Sequence, residues 1–354
     1  MKKILAIDLG KFKSVSCLLN TEANETEFWT LETSRHYLQT VLKHYNPDLV
    51  VIESCGIAAW VHDVCCEAGF EVLVCNPNQE AWKWKNVKRK TDKDDALKLA
   101  KLAALEQLVP VHIPAQQVRE HRWLVKYRKT LKGRINRVQN NIRALFNQHG
   151  LKLPVGQRAW SAEGLEGIAE HRRQLTDCPL AELWRGELDL ELVELLRLRE
   201  QLKAVDDKLE QIAEQDERVK LLETIPGVGR KTAEVIVTHL DKPERFASAG
   251  HVSSYAGLIP RRFQSGQMDR QGGISHRGSR LLRSALVECA WIMLRYNPWA
   301  RDLYQRLCYG QKTRKKKAIV AVARKLLVRC WAMLRDNQPW QPDGVRPLAN
   351  QGSS

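Results

Sequence analysis

Two short apolar runs near the start of the chain each end in an acid. Ile4-Leu5-Ala6-Ile7 leads into Asp8, and Leu49-Val50-Val51-Ile52 leads into Glu53. A carboxylate at the end of a buried strand is costly unless its charge is compensated, and a divalent cation is a common compensation. Two more acids, Asp92 and Asp95, stand in Lys90-Thr91-Asp92-Lys93-Asp94-Asp95-Ala96. Far downstream, Ser265 lies in the basic segment Pro260-Arg261-Arg262-Phe263-Gln264-Ser265-Gly266. An acid cluster of this kind on a basic chain points to phosphodiester chemistry on nucleic acid.

The pattern around these acids predicts strands over 3–9, 14–19 and 26–31, then a helix over 34–45 and a buried strand over 48–53. A helix over 57–68, a strand over 71–75 and a helix over 93–105 follow. Three strands followed by alternating helices and strands imply an α/β domain with a mixed sheet. Residues 116–147 read as a long basic helix. In it Leu131, Ile135, Val138, Ile142 and Leu145 recur at steps of four and three. In a second long helix, over about 181–215, Leu195, Leu198, Leu202, Val205, Leu209 and Ile212 do the same. Heptad spacing of this kind supports a coiled coil, within the chain or between subunits, and equally an ordinary helical hairpin. Segment 150–180 has no clear period. From 219 onward the pattern is that of a compact helical domain, and 336–354 reads as a disordered tail.

The 354 residues suffice for two or three domains, and the formal net charge of +16 calls for a polyanionic partner. No apolar run reaches the roughly 18 residues a membrane span needs. The nine cysteines form no C-x-x-C pair and read as reduced core residues of a cytoplasmic protein.

Asp8 and Glu53 can meet if their strands are neighbours, and Asp92 and Asp95, three apart at a helix start, can face one side. Asp94 falls out of that register. Four such carboxylates could hold two Mg²⁺ ions about 4 Å apart. Taken singly, Asp92 also suits a helix N-cap. The turn Asp8-Leu9-Gly10 is similar to that of actin-like ATPases, but no second glycine-rich phosphate loop accompanies it.

Three basic regions complete the set. In Thr224-Ile225-Pro226-Gly227-Val228-Gly229-Arg230-Lys231, Gly227 and Gly229 allow a tight turn that presents N–H groups beside Arg230 and Lys231, as in a helix-hairpin-helix. A turn that serves packing alone is the other reading. The serine loop carries Arg261, Arg262, Arg270, Arg277, Arg280 and Arg283 against the single acid Asp269. Guanidinium forks suit phosphate oxygens. Lys85, Lys88, Arg89 and Lys90 follow Trp82 and Trp84 in a strip suited to nucleic acid. Lys312, Arg314, Lys315, Lys316 and Lys317 form a further basic cluster, read as a solvated helix face.

The chain resembles the DEDD transposases of bacterial insertion sequences, the group of the Piv-type DNA invertases and bridge-RNA-guided recombinases. The resemblance rests on Ala6-Ile7-Asp8, Ile52-Glu53, Lys90 to Ala96, Ile225 to Gly229, Tyr255 to Arg262, Ser265-Gly266 and Gly278 to Leu286. It implies an RNase H-like (RuvC-like) catalytic domain over 1–110 and a coiled-coil dimerisation region over 111–218. A mainly helical transposase domain, with the helix-hairpin-helix and the serine loop, would occupy 219–335. It further implies that Asp8, Glu53, Asp92 and Asp95 bind Mg²⁺, with Mn²⁺ as a substitute, and that Ser265 is a nucleophile forming a phosphoserine–DNA link. Implied partners are donor and target DNA, a structured guide RNA from the element's non-coding end, and further copies of the chain, as dimers assembling to tetramers. A bacterial, nucleoid-associated cytoplasmic location goes with that reading. The rival readings are a RuvC-like junction endonuclease that uses activated water, and a non-catalytic nucleic-acid binder whose acids are structural.

Overall fold

A computed structural model describes residues 3–76, 91–265 and 268–342, with the side chains of 262–265, 268, 269 and 271 left aside. Lys85, Lys88, Arg89 and Lys90 lie outside the described residues, as does most of the expected tail. The chain divides into two compact units, Met1–Pro114 and Ala115–Ser354.

The first unit is built on strands β1 (Lys3–Asp8), β2 (Lys13–Asn20) and β3 (Glu25–Glu32), then helix α1 (Arg35–Tyr45) and strand β4 (Leu49–Glu53). Helix α2 (Ala58–Glu67), strand β5 (Val72–Cys75) and helix α3 (Asp92–Ala104) complete it. The sheet order is β3-β2-β1-β4-β5. β1, β2 and β3 pair antiparallel, while β4 runs parallel to both β1 and β5. This is the mixed sheet that the sequence predicts. Its central strands are apolar on both faces, as they must be when helices cover both. Ile4, Ala6, Leu49 and Val51 pack with Ala96, Leu99, Ala100 and Ala103 of α3. The alternate residues Leu5, Ile7, Val50 and Ile52 pack with Leu38 and Leu42 of α1 and with Ala58, Val61 and Val64 of α2.

The second unit begins with α4 (Gln116–Gln148), short α5 (Ala162–Ala169) and α6 (Leu183–Gln215). α4 and α6 run antiparallel. Asn141 bonds Glu191 at 3.0 Å, and Arg128 lies 3.8 Å from Asp206, so numbering falls along one helix as it rises along the other. Leu131, Ile135, Val138, Ile142 and Leu145 are buried in the same core as Leu195, Leu198, Val205 and Leu209. The heptad stripes therefore close on each other within one chain, as a helical hairpin. A second apolar line on α6 stays exposed: Leu183, Leu190, Val193 and Leu196.

Helices α7 (Glu217–Glu223), α8 (Arg230–Leu240) and α9 (Ala249–Tyr255) follow, then strands β6 (Pro260–Ser265) and β7 (Met268–Ile274). Helices α10 (Arg280–Tyr296), α11 (Pro298–Cys308) and α12 (Lys315–Asp336) close the unit. The strand pair adds a β element to a domain expected to be mainly helical. The segment is rich in arginine and glycine and shows no apolar alternation to announce strands. Nor are all the cysteines in the core: Cys55 and Cys66 are exposed, while Cys17, Cys65, Cys75, Cys289, Cys308 and Cys330 are buried and all nine are free thiols. Among the described residues no helix is long and apolar enough to cross a membrane.

Candidate functional site

In the parallel pair β1–β4, Ile7 stands opposite Ile52, so Asp8 and Glu53 occupy the next register position. Both share the parity of Ala6 and Val51, which places them on the sheet face covered by α3. Burial and the nearby Glu53 carboxylate push the Cys75 thiol up to about 12, keeping it a neutral neighbour. α3 itself begins with a capping box. Thr91 Oγ1 accepts from the Asp94 amide at 3.3 Å, and Asp94 Oδ2 accepts from the Thr91 amide at 3.0 Å. Those bonds, with one from the Thr91 hydroxyl, hold the Asp94 carboxyl below its usual range. Asp94 is thus committed to the helix start, and Asp95, only 9% exposed, opens the buried stripe that continues through Leu99. Asp92 is exposed.

The four acids do not form the expected cluster. Among the described residues no group of three or more His, Cys, Asp or Glu side chains is placed to hold a metal ion. In the first turn of α3, Asp95 is buried while Asp92 is exposed. Asp8 and Glu53 still fit a hard divalent cation. Mg²⁺ usually takes one or two protein carboxylates and completes its shell with water and substrate phosphate.

The serine hairpin belongs to the second unit. Ser265 pairs with Met268 as the last register of β6–β7, so its backbone sits at the tip. The base of the hairpin is tightly built. Gly257 (φ 66°) and Gly278 (φ 78°) bring two backbone segments together; a Cβ on either would collide with the carbonyl oxygen of Arg277 or of Tyr255. Arg283 clamps the junction by donating from Nη1 to the carbonyls of Arg277 (2.7 Å), Gly278 (3.1 Å) and Ala256 (3.2 Å). Ser279, the N-cap of α10, donates to Nε2 of His239 at 2.8 Å when Nδ1 of that ring carries the proton and donates to the Val235 carbonyl at 2.7 Å. Burial, first, and the nearby Arg122 push the His239 pKa down to about 4, so the ring is neutral at ordinary pH. Sequence reading missed this pair: its members stand 40 residues apart, and a lone histidine in an apolar helix announces nothing. The arginines of the hairpin are exposed at Arg261, Arg270, Arg277 and Arg280, and Arg261 reaches the Ser275 carbonyl at 3.4 Å. Arg262 lies on β6.

The glycine turn between α7 and α8 is held from behind by α10. Gly227 (φ 92°) lies against Met293, and Asn297 donates to the Pro226 carbonyl at 3.3 Å. Gly229 is the N-cap of α8 and brings no side chain to it, and its carbonyl accepts from the Thr232 amide at 2.9 Å and the Ala233 amide at 3.1 Å. The basic residues beside it are engaged. Arg230 lies 2.9 Å from Glu210, 3.8 Å from Glu214 and 3.6 Å from Glu223, and Lys231 bonds Asp206 at 3.0 Å.

Neighbouring carboxylate positions on one sheet face, and a second unit that presents an arginine-rich hairpin, suit phosphodiester chemistry on nucleic acid. Comparison with known families agrees. Residues 5–150 match the DEDD-type IS110 transposase profile, and residues 219–305 match the one described as "Transposase IS116/IS110/IS902 family". The chain belongs to the IS110/IS116 transposase family and is a DNA transposase/recombinase enzyme. It is similar to the pilin gene-inverting protein of Moraxella bovis, at 28% identity across 96% of this chain and 98% of that one. It is also similar to the transposase for insertion sequence element IS1111A of Coxiella burnetii, at 24% identity across 96% and 91%. Among solved structures, Thermus thermophilus RuvC in complex with a Holliday junction substrate matches at 16% identity and a TM-score of 0.23, over 31% of this chain and all of that one.

Proposed function

We propose that this transposase cuts and rejoins DNA at specific sites through a covalent phosphoserine link at Ser265, with a RuvC-like first unit supplying the acids. The observation that carries the reading is the hairpin. Ser265 stands at the tip of two strands that spring from a locked base, and four exposed arginines of the segment offer forks for phosphate. In the proposed step the Ser265 hydroxyl gives up its proton and its oxygen bonds to phosphorus. The P–O bond to the sugar breaks, and the leaving sugar oxygen takes up a proton. The phosphoester retains the bond energy, so religation needs no external source. Asp8 and Glu53 would hold the divalent ion, Mg²⁺ or Mn²⁺, with water and substrate phosphate completing its shell. When bound, such an ion neutralises charge at the reacting phosphate.

Donor and target DNA are the substrates, and a structured RNA from the element's flank would specify them by base pairing while the protein reads shape. Assembly as dimers and tetramers is supported by the exposed line Leu183, Leu190, Val193 and Leu196, which the hairpin of α4 and α6 leaves uncovered. Lys85, Lys88, Arg89 and Lys90 belong to the same proposal as a basic strip, and Gly227 and Gly229 as a helix-hairpin-helix contact to the DNA backbone.

The test is a denaturing gel of end-labelled donor and target DNA, incubated with protein, Mg²⁺ and RNA transcribed from the flanks. Wild type is expected to give a labelled band at protein mass that Ser265→Ala abolishes. Free cut ends without an adduct, unchanged in Ser265→Ala, would refute the serine mechanism and favour a junction endonuclease that uses water. Omitting the RNA tests guidance in the same gel.

A further inference from the structure

A cleft of about 510 Å³ opens between α4, α8 and α10. Its polar lining comes from Arg128, Lys129, Lys132 and Asn136 of α4, Lys231 and Thr232 of α8, and Ser284 and Glu288 of α10, with Arg128 paired to Glu234 and Lys231 to Asp206. Cations from two helices therefore face one space, and Glu288 is the one acid among the lining residues. Lys129 and Lys132 form no ion pair among the described residues. Lys129 donates instead to the neutral Ser284 hydroxyl at 2.6 Å, whose own proton goes to the Leu281 carbonyl at 3.0 Å. Lys132 has its pKa lowered, by burial first and then by the charge of Lys231, with Arg128 adding to the effect. This is a site where positive charge is crowded and incompletely answered by protein acids.

The backbone around the cleft favours close approach by a ligand. Gly133 on its wall has nothing within 4 Å of where a side chain would begin. Lys231 and Thr232 stand in the first turn of α8, where the helix dipole favours an anion. The floor is apolar, formed in part by Val125, Val235 and Ile292. Cationic walls over an apolar floor suit a strand whose phosphates alternate with sugars and bases.

We infer that this cleft binds the phosphodiester backbone of a nucleic acid through Lys129 and Lys132 of α4, beside Lys231, which is itself paired with Asp206. The inference rests on the chain being a transposase, but not on the role of Ser265. It extends the expected contact at the glycine turn onto a helix that the sequence marked only as long, basic and heptad-bearing. It also assigns the phosphate-facing charge there to Lys129 and Lys132 rather than to Arg230 and Lys231, which already face carboxylates.

The experiment compares full-length wild type with Lys129→Gln/Lys132→Gln by fluorescence anisotropy, using labelled duplex DNA and single-stranded RNA across a salt series. The control, Lys315→Gln/Lys316→Gln at the start of α12, removes the same charge elsewhere. Each lost phosphate contact lowers the slope of log K against log salt by about 0.9 for duplex and about 0.7 for a single strand. The cleft variant should lose roughly 1.8 on duplex, or roughly 1.4 on RNA, with affinity weakened about tenfold or more near physiological salt. The control should lose much less, and Lys129→Arg/Lys132→Arg should restore the slope, which separates lost charge from lost fold. Whichever probe suffers the larger loss identifies the strand bound. Equal losses in the cleft and control variants, or none in either, would overturn the site. Wild type that binds neither probe would overturn the transposase reading of this chain together with the cleft.

Discussion

His239 makes a quantitative prediction about stability and pH. Its ring is buried in α8, with Nδ1 on the Val235 carbonyl and Nε2 on Ser279, and its folded pKa is about 4 against 6.5 when free. A depressed histidine pKa means that the unfolded chain binds more protons than the folded one between those values. Stability from this group is therefore fully present above about pH 6.5 and falls as pH drops towards 4. At 1.36 kcal/mol per pKa unit the full shift corresponds to about 3 kcal/mol, of which roughly 2 kcal/mol is lost by pH 5. The assay is denaturant unfolding of wild type and His239→Gln from pH 4 to 8, read as the difference between the two at each pH. That difference should be flat above pH 7 and should shift by about 3 kcal/mol towards pH 4, with wild type losing its advantage. A difference independent of pH would refute the claim that the ring is held neutral. The same lock should govern activity, because Ser279 caps the helix that anchors the serine hairpin. His239→Gln is expected to lower transposition at pH 7.5 without moving the salt slope of DNA binding.

Three further outcomes follow from the geometry. Gly257→Ala forces a Cβ against the Arg277 carbonyl at a positive φ, so it should lower the melting free energy by about 1–3 kcal/mol and abolish the serine adduct; a wild-type melt would count against the close approach. Mg²⁺ at a hundredfold excess over its Kd should stabilise wild type by about 2.7 kcal/mol in thermal melts and leave Asp8→Asn unmoved, whereas equal shifts would remove Asp8 from the site. Arg128→Met strands the buried Glu234 carboxylate, now 2.9 Å from the guanidinium, at a cost of about 3–5 kcal/mol. Adding Glu234→Leu should recover most of that loss in urea unfolding, since the penalty lies in the unpaired charge.

Local signals carried the first unit. Apolar runs ending in acids located β1 and β4 to within a residue or two, and the parity that puts Asp8 and Glu53 on one face follows once the strands are neighbours. The long helices were legible for the same reason, since heptads repeat over many turns. What heptads do not encode is the partner. They mark a stripe that must be covered, and here α4 and α6 cover each other. The hairpin β6–β7 was missed because its residues were selected for charge and backbone freedom, not for alternation. Asp92 and Asp95 show a further limit. Spacing of three puts two residues on neighbouring positions of a helix, but their different burial arises from how α3 meets the sheet, which is a tertiary fact.

The charge count needs the same correction. A formal net charge of +16 suggests a surface lined with free cations. Many of the arginines are instead cross-links inside the second unit. Arg122 donates through Nε and Nη2 to the Thr238 carbonyl, and Arg245 caps the carbonyls of His239 and Leu240 while lying on the rings of Phe246 and Tyr255. Arg128 is bound to Glu234, Arg218 to Asp216, Arg230 to glutamates, and Arg283 to three carbonyls. The planar guanidinium suits this work: it satisfies several acceptors at once and stays charged when buried. A lysine loses more in such a setting, because its pKa falls on burial, as at Lys132. The division follows from that chemistry. Arginines with internal acceptors hold the fold, while exposed hairpin arginines and Lys129 and Lys132 of the cleft remain to answer phosphate. The salt dependence of DNA binding should therefore track these few groups and not the net charge of the chain.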